Sequence, residues 1–118
     1  MHALSTRPDP AQESESPSQT IRFDSEQFTD VLAAIGSDTA RSILLSVRQQ
    51  PLTASEIADR VDTSIQNASY HLDRLTHAGL IEVCDTVYSE KGCEMNLYHA
   101  VETTLHFKTA RPDDIGDP

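Results

Sequence analysis

The stretch TASEIADRVDTSIQNASYHLDRLTHAGL holds two apolar stripes at helical spacing with only three residues between them. Thr53 and Glu56 form a T-x-x-E capping box, which starts a helix whose Ala54, Ile57, Ala58 and Val61 share one face. Asp62-Thr63-Ser64 then turns the chain. A second helix follows from about Ile65 to His77, with Ile65, Ala68, Leu72 and Leu75 inward and Gly79 placed to take the left-handed C-terminal conformation. Helices joined by so short a turn cross steeply, so their stripes need a further apolar surface to close on. The rest of the chain must supply it.

Upstream, Phe28, Val31, Leu32 and Ile35 recur at i, i+3, i+4, i+7, predicting a helix that Gly36 ends. Ser37 caps another, with Ala40, Ile43, Leu44 and Val47 on one face and Pro51 at its exit. Downstream, Leu80 to Val87 and Met95 to Val101 read as two strands around the polar turn Ser89-Glu90-Lys91-Gly92. Helices followed by a β-hairpin make an α+β chain with a winged helix-turn-helix architecture. Residues 1–22 are rich in Ser, Pro, Gln and acid and read as a disordered acidic tail. The folded domain is expected over 23–109, and 110–118 read as a polar C-terminal tail.

The formal charge of the 118-residue chain is −10, and it is unevenly placed. Residues 1–40 and 81–118 each carry a net −5, whereas 41–80 are neutral, Arg41, Arg48, Arg60 and Arg74 balancing four acids. The acid therefore lies outside the paired helices. Lysine occurs only at 91 and 108, and such an acidic, lysine-poor surface resembles that of proteins from salt-accumulating halophiles. No apolar run is long enough to span a bilayer and no secretory leader is visible, so a cytoplasmic location is expected.

On a helical wheel the stripe through Ala68 and Leu72 faces the core, and Tyr70 falls opposite, flanked by Gln66, Asn67 and Arg74. These side chains suit double-stranded DNA: Arg for guanine or phosphate, Asn and Gln for adenine, a tyrosine hydroxyl for phosphate. Ser64, Ser69 and His71 stand at the border, and Lys91 at the hairpin tip can reach a flanking phosphate. The same pattern also describes a solvated helix face.

Ser64, Ser69, His71, Leu72, Leu75, Ala78, Gly79 and Leu80 match the S-x-x-x-x-S-x-H-L-x-x-L-x-x-A-G-L pattern of a recognition helix, and residues 26–101 resemble the winged-helix repressors of the ArsR type, particularly small archaeal regulators. The resemblance implies a sequence-specific transcriptional regulator that reads the major groove with helix 64–78, assisted by the wing, as a homodimer. The other reading is a winged-helix adaptor that docks proteins without reading bases, which the net charge favours.

Metal-sensing relatives keep cysteines near the third helix or Asp and His pairs in a last helix, and neither set is present. With the turn centred near Glu90 and Lys91, Cys93 falls near Tyr88 and Cys84 near Leu97, so the sulfurs are not neighbours. The five histidines include no i, i+4 pair. Neither metal nor cofactor is expected. With no phosphate-cradling glycine loop and no nucleophile beside a base, enzymatic activity is not expected either. The chain departs from the resemblance at its C-terminus: in place of a final dimerising helix, Thr104, His106 and Lys108 alternate with Leu105 and Phe107, predicting a strand or extended arm. Dimerisation is then expected through the stripe of the first helix with Leu105 and Phe107.

Overall fold

The computed structural model describes residues 17–109. The element order is β1 (Ser18–Arg22), α1 (Glu26–Ile35), α2 (Asp38–Gln49), β2 (Leu52–Thr53), α3 (Ala54–Val61), α4 (Ile65–His77), β3 (Ile81–Tyr88), β4 (Glu94–Ala100) and β5 (Thr104–Lys108). The chain separates into two compact units: Ser25–Val101 holds the four helices and the wing, and the flanking segments make the other.

Every helix of the larger unit starts on a side-chain cap, which satisfies a backbone N–H that the helix itself cannot. Ser25 Oγ accepts from Phe28 N–H at 3.1 Å, and Ser37 Oγ from Ala40 N–H at 3.0 Å. The capping box forms in full: Thr53 Oγ1 accepts from Glu56 N–H at 3.2 Å, and Glu56 Oε1 accepts from Thr53 N–H at 2.9 Å. Between α3 and α4, Asp62 adopts the left-handed region at φ 60°, and Thr63 N–H donates to Ala58 O at 2.9 Å. Ser64 Oγ then caps α4 by accepting from Asn67 N–H at 3.0 Å. Gly79, at φ 80°, takes the chain out of α4 toward the wing.

The core joins Val31 and Ala34 of α1 to Ala40, Ile43 and Val47 of α2, Ile57 and Ala58 of α3, and Ala68, Leu72 and Leu75 of α4. Leu52, Leu80 and Ile81 close it from the sheet side. α4 packs against all three other helices, so it is the element whose inner face is most constrained. Two expected core residues point outward. Leu32 is 53% exposed because α1 buries the face centred on Val31 and Ala34, one step around the helix. Ile65 is 56% exposed because it opens α4 beside the turn, ahead of the turns that Ala68, Leu72 and Leu75 pin down.

The wing is a three-stranded sheet in the order β2-β4-β3, antiparallel throughout. Its tip is Ser89 to Gly92 as expected, but from Asp85 to Tyr88 the register is one residue away from the sequence reading: Tyr88 faces Glu94 and Cys93 lies in the turn, whereas from Ile81 to Val83 the register is the expected one and Cys84 lies at Leu97. A bulge between Val83 and Asp85 absorbs Cys84, whose Sγ donates to Leu97 O at 3.4 Å. β2 was not foreseen, since two residues leave no periodicity to read. Through it Thr53 both pairs with Leu97 and caps α3.

The smaller unit corrects the tail assignment at residues 18–22. β1 and β5 run parallel, Ser18 opposite Thr104 through Arg22 opposite Lys108. Thr104 N–H to Pro17 O at 3.1 Å and Phe23 N–H to Lys108 O at 3.0 Å extend the ladder at both ends. Phe23 and Phe107 meet edge to face at 6.3 Å. Arg22 grips Asp24 with two 3.1 Å hydrogen bonds, and these hold the Asp24 carboxyl below its ordinary range. Composition alone missed β1 because its hydrogen-bond partner lies 86 residues away. Residues 1–16 and 110–118, the remainder of the expected tails, lie outside the described residues.

Candidate nucleic-acid interface

With Ala68, Leu72 and Leu75 fixed inward, the 3.6-residue period dictates what α4 presents outward. Gln66 and Asn67 are exposed on its first turn, Tyr70 is 54% exposed at mid-helix, and Ser69, His71 and Arg74 are half-buried at the margins. The structure thus brings six of the eight expected residues onto one helix surface. Ser64 lies at its start, where its hydroxyl oxygen is engaged as the helix cap while its O–H can still donate.

The side chains on this surface support each other. The Arg74 guanidinium carbon sits 5.4 Å from the centre of the Tyr70 ring, a cation–π arrangement that restrains both. Tyr70 and His71 meet at 5.1 Å with their planes 72° apart. Burial, and secondarily the Arg74 charge, hold the His71 pKa below its ordinary value. His71 is therefore a neutral hydrogen-bonding group near pH 7, and Arg74 is the one permanent cation of α4. Asn67 Nδ2 donates to Thr63 Oγ1 at 2.9 Å, a contact sequence reasoning missed, although a Thr four residues before an Asn at a helix start was there to be read.

Arg74 also borders a shallow cleft of about 240 Å³ between α1 and α4, lined by Asp30, Ala33, Asp73, Arg74 and His77. His77 Nε2 lies 3.5 Å from Asp30 Oδ2 there, tying the end of α4 to α1. The two carboxylates beside Arg74 offset part of its field, so its worth lies in directed hydrogen bonds more than in bulk charge.

Lys91 is exposed at the wing tip, in a turn closed by Ser89 N–H to Cys93 O and Gly92 N–H to Ser89 O, both 2.9 Å. Glu90 precedes it and Glu94 opens the next strand, so its charge is outweighed locally. Both cysteines are exposed thiols, and among the described residues no group of three or more His, Cys, Asp or Glu side chains is placed to hold a metal ion. No helix among the described residues is long and apolar enough to cross a membrane.

Three capped helices leading into α4, followed by a three-stranded antiparallel wing, define a winged helix-turn-helix. Residues 35–84, which run from the end of α1 into the wing, match the family described as helix-turn-helix domain. Among solved structures the chain is similar to an ArsR-like transcriptional regulator from Rhodococcus sp. RHA1, at 28% identity over 64% of this chain and 63% of that one, with a TM-score of 0.52. The chain therefore spans less than two thirds of that regulator. NolR from Sinorhizobium fredii shares 19% identity over 81% of both chains, with a TM-score of 0.53. The homodimeric winged helix-turn-helix DNA-binding domain Mb0332 from Mycobacterium bovis, a possible ArsR-family regulator, shares 21% identity over 64% of each chain at a TM-score of 0.51. At 19% and 21% identity the likeness is one of fold. No curated protein matches the sequence.

Proposed function

We propose that this chain is a sequence-specific, double-stranded-DNA-binding transcriptional regulator of the ArsR type, acting as a homodimer, with α4 in the major groove. The observation that carries this reading is the outward face of α4. Gln66, Asn67, Tyr70 and Arg74 project from a helix whose opposite face is locked into the core, and each can hydrogen-bond to base edges or phosphates. The Rhodococcus regulator and the homodimeric Mycobacterium domain support the functional class and the pairing. Leu32, half-exposed on α1, is the kind of apolar side chain that a second copy would cover. Ser64, Ser69 and His71 serve as secondary hydrogen-bonding positions, and Lys91 as an accessory phosphate contact.

Selection from random duplex DNA in molar potassium salt tests the reading, and recovery of a pseudo-palindromic motif is expected. Replacing Gln66, Asn67, Tyr70 and Arg74 together by Ala should abolish binding while the circular dichroism spectrum stays native. Undiminished DNA binding by that variant would refute the assignment of α4.

A further inference from the structure

We propose that Thr63 is a positioning residue for base recognition, holding the Asn67 amide in the orientation that reads adenine; this rests on the DNA-reading role of α4. Asn67 is the third residue of α4, in the N-terminal part of a recognition helix that meets base edges. An unrestrained asparagine amide rotates broadly about its last torsion, so fixing it on contact with DNA costs entropy. Here Asn67 is fixed beforehand at its main chain by one bond and at its amide by another. Its backbone N–H donates to Ser64 Oγ at 3.0 Å, and its Nδ2 donates to Thr63 Oγ1 at 2.9 Å. The clamp is itself anchored, because Thr63 N–H donates to Ala58 O at 2.9 Å and the left-handed Asp62 fixes the approach of the chain.

The hydrogen-bond inventory shows why this bond restrains the amide without consuming it. A primary amide has two N–H donors and one carbonyl acceptor, and Thr63 takes one donor. One N–H and Oδ1 remain, the pair that complements N7 and the N6 amino group of adenine in the major groove. A polar side chain in the turn before the helix thereby sets the reading of a neighbour.

The test uses the full chain and the duplex recovered by selection. Thr63→Val keeps the shape and removes the acceptor, Thr63→Ser keeps the acceptor, and Thr63→Ala is a second variant without one. Fluorescence anisotropy against a panel of single base-pair changes should show Thr63→Val and Thr63→Ala binding about 3- to 10-fold more weakly, the worth of one hydrogen bond. They should also lose discrimination at the same base pair that Asn67→Ala flattens. Thr63→Ser should retain it, and Thr63→Val combined with Asn67→Ala should bind no worse than Asn67→Ala alone. A merely structural role would weaken all duplexes equally. Uniform weakening, unchanged discrimination in both acceptor-less variants, or additive losses in the double variant would each overturn the proposal while leaving the role of α4 standing. If the native chain itself shows no sequence preference, both readings fall.

Discussion

α4 and the wing, the two elements proposed to approach a duplex, are built on opposite electrostatic plans. α4 carries one acid and one permanent cation, Asp73 and Arg74, and is neutral along its length. The wing from Ile81 to Ala100 carries Glu82, Asp85, Glu90 and Glu94 against Lys91 alone. On that reading a polyanion would meet hydrogen-bonding side chains on the helix and net negative charge on the hairpin. The contrast teaches that a strongly acidic chain can keep its acid off the surface proposed to contact DNA, which here is neutral and rich in directional hydrogen-bonding groups. Such binding should be less salt-sensitive than that of a basic repressor, because few counterions are released.

Leu72→Ala should have the largest effect, since it removes the buried side chain that holds the reading face in place. A cost of about 2 to 5 kcal/mol is expected, enough to unfold a small domain, visible as loss of the cooperative thermal transition. A folded Leu72→Ala variant that still binds its operator would mean that α4 is held by something other than its core stripe. Next, Arg74→Ala and Asn67→Ala should each weaken operator binding by roughly 1 to 3 kcal/mol and relax preference at particular base pairs with the fold intact. Measured by anisotropy on the selected duplex, equal losses on specific and random DNA would turn these residues into phosphate contacts.

The wing should matter less. Lys91→Ala is expected to weaken binding only about twofold, and Glu90→Gln to strengthen it slightly, with the slope of affinity against salt changing by less than about one counterion. A Lys91 loss as large as that of Arg74 would reverse the comparison between helix and wing. The smallest effect concerns His71, whose pKa is held down in the folded state, chiefly by burial. The unfolded chain then binds more protons than the folded one below about pH 6.5, so stability declines as pH falls through that value and is unaffected above it. Thermal melts between pH 8 and 5 should show a shallower acid-side decline for His71→Gln than for the native chain, and parallel curves would remove His71 from the account.

What could be read from the sequence follows from how local the encoding is. The caps at Ser37 and Thr53, the turn at Asp62 to Ser64 and the stripe through Ala68, Leu72 and Leu75 all rest on residues within a few positions of each other, and the structure places them as the spacing implies. Tyr70 opposite that stripe follows from the same geometry. Leu32 and Ile65 misled because periodicity locates an apolar stripe without stating which neighbour covers its margin. The register at the wing tip slipped by one because the bulge at Cys84 depends on packing, and β1 was invisible because its partner comes from the other end of the chain. The amide contact of Thr63 required knowing that the turn folds back over the first turn of α4.

Thr53 has a mechanical consequence. One buried residue is at once the last rung of β2 on the wing sheet, opposite Leu97, and the cap of the first turn of α3. There is no linker between the two parts in which slack could collect. A displacement of β4 at Leu97 therefore bears directly on the residue that caps α3.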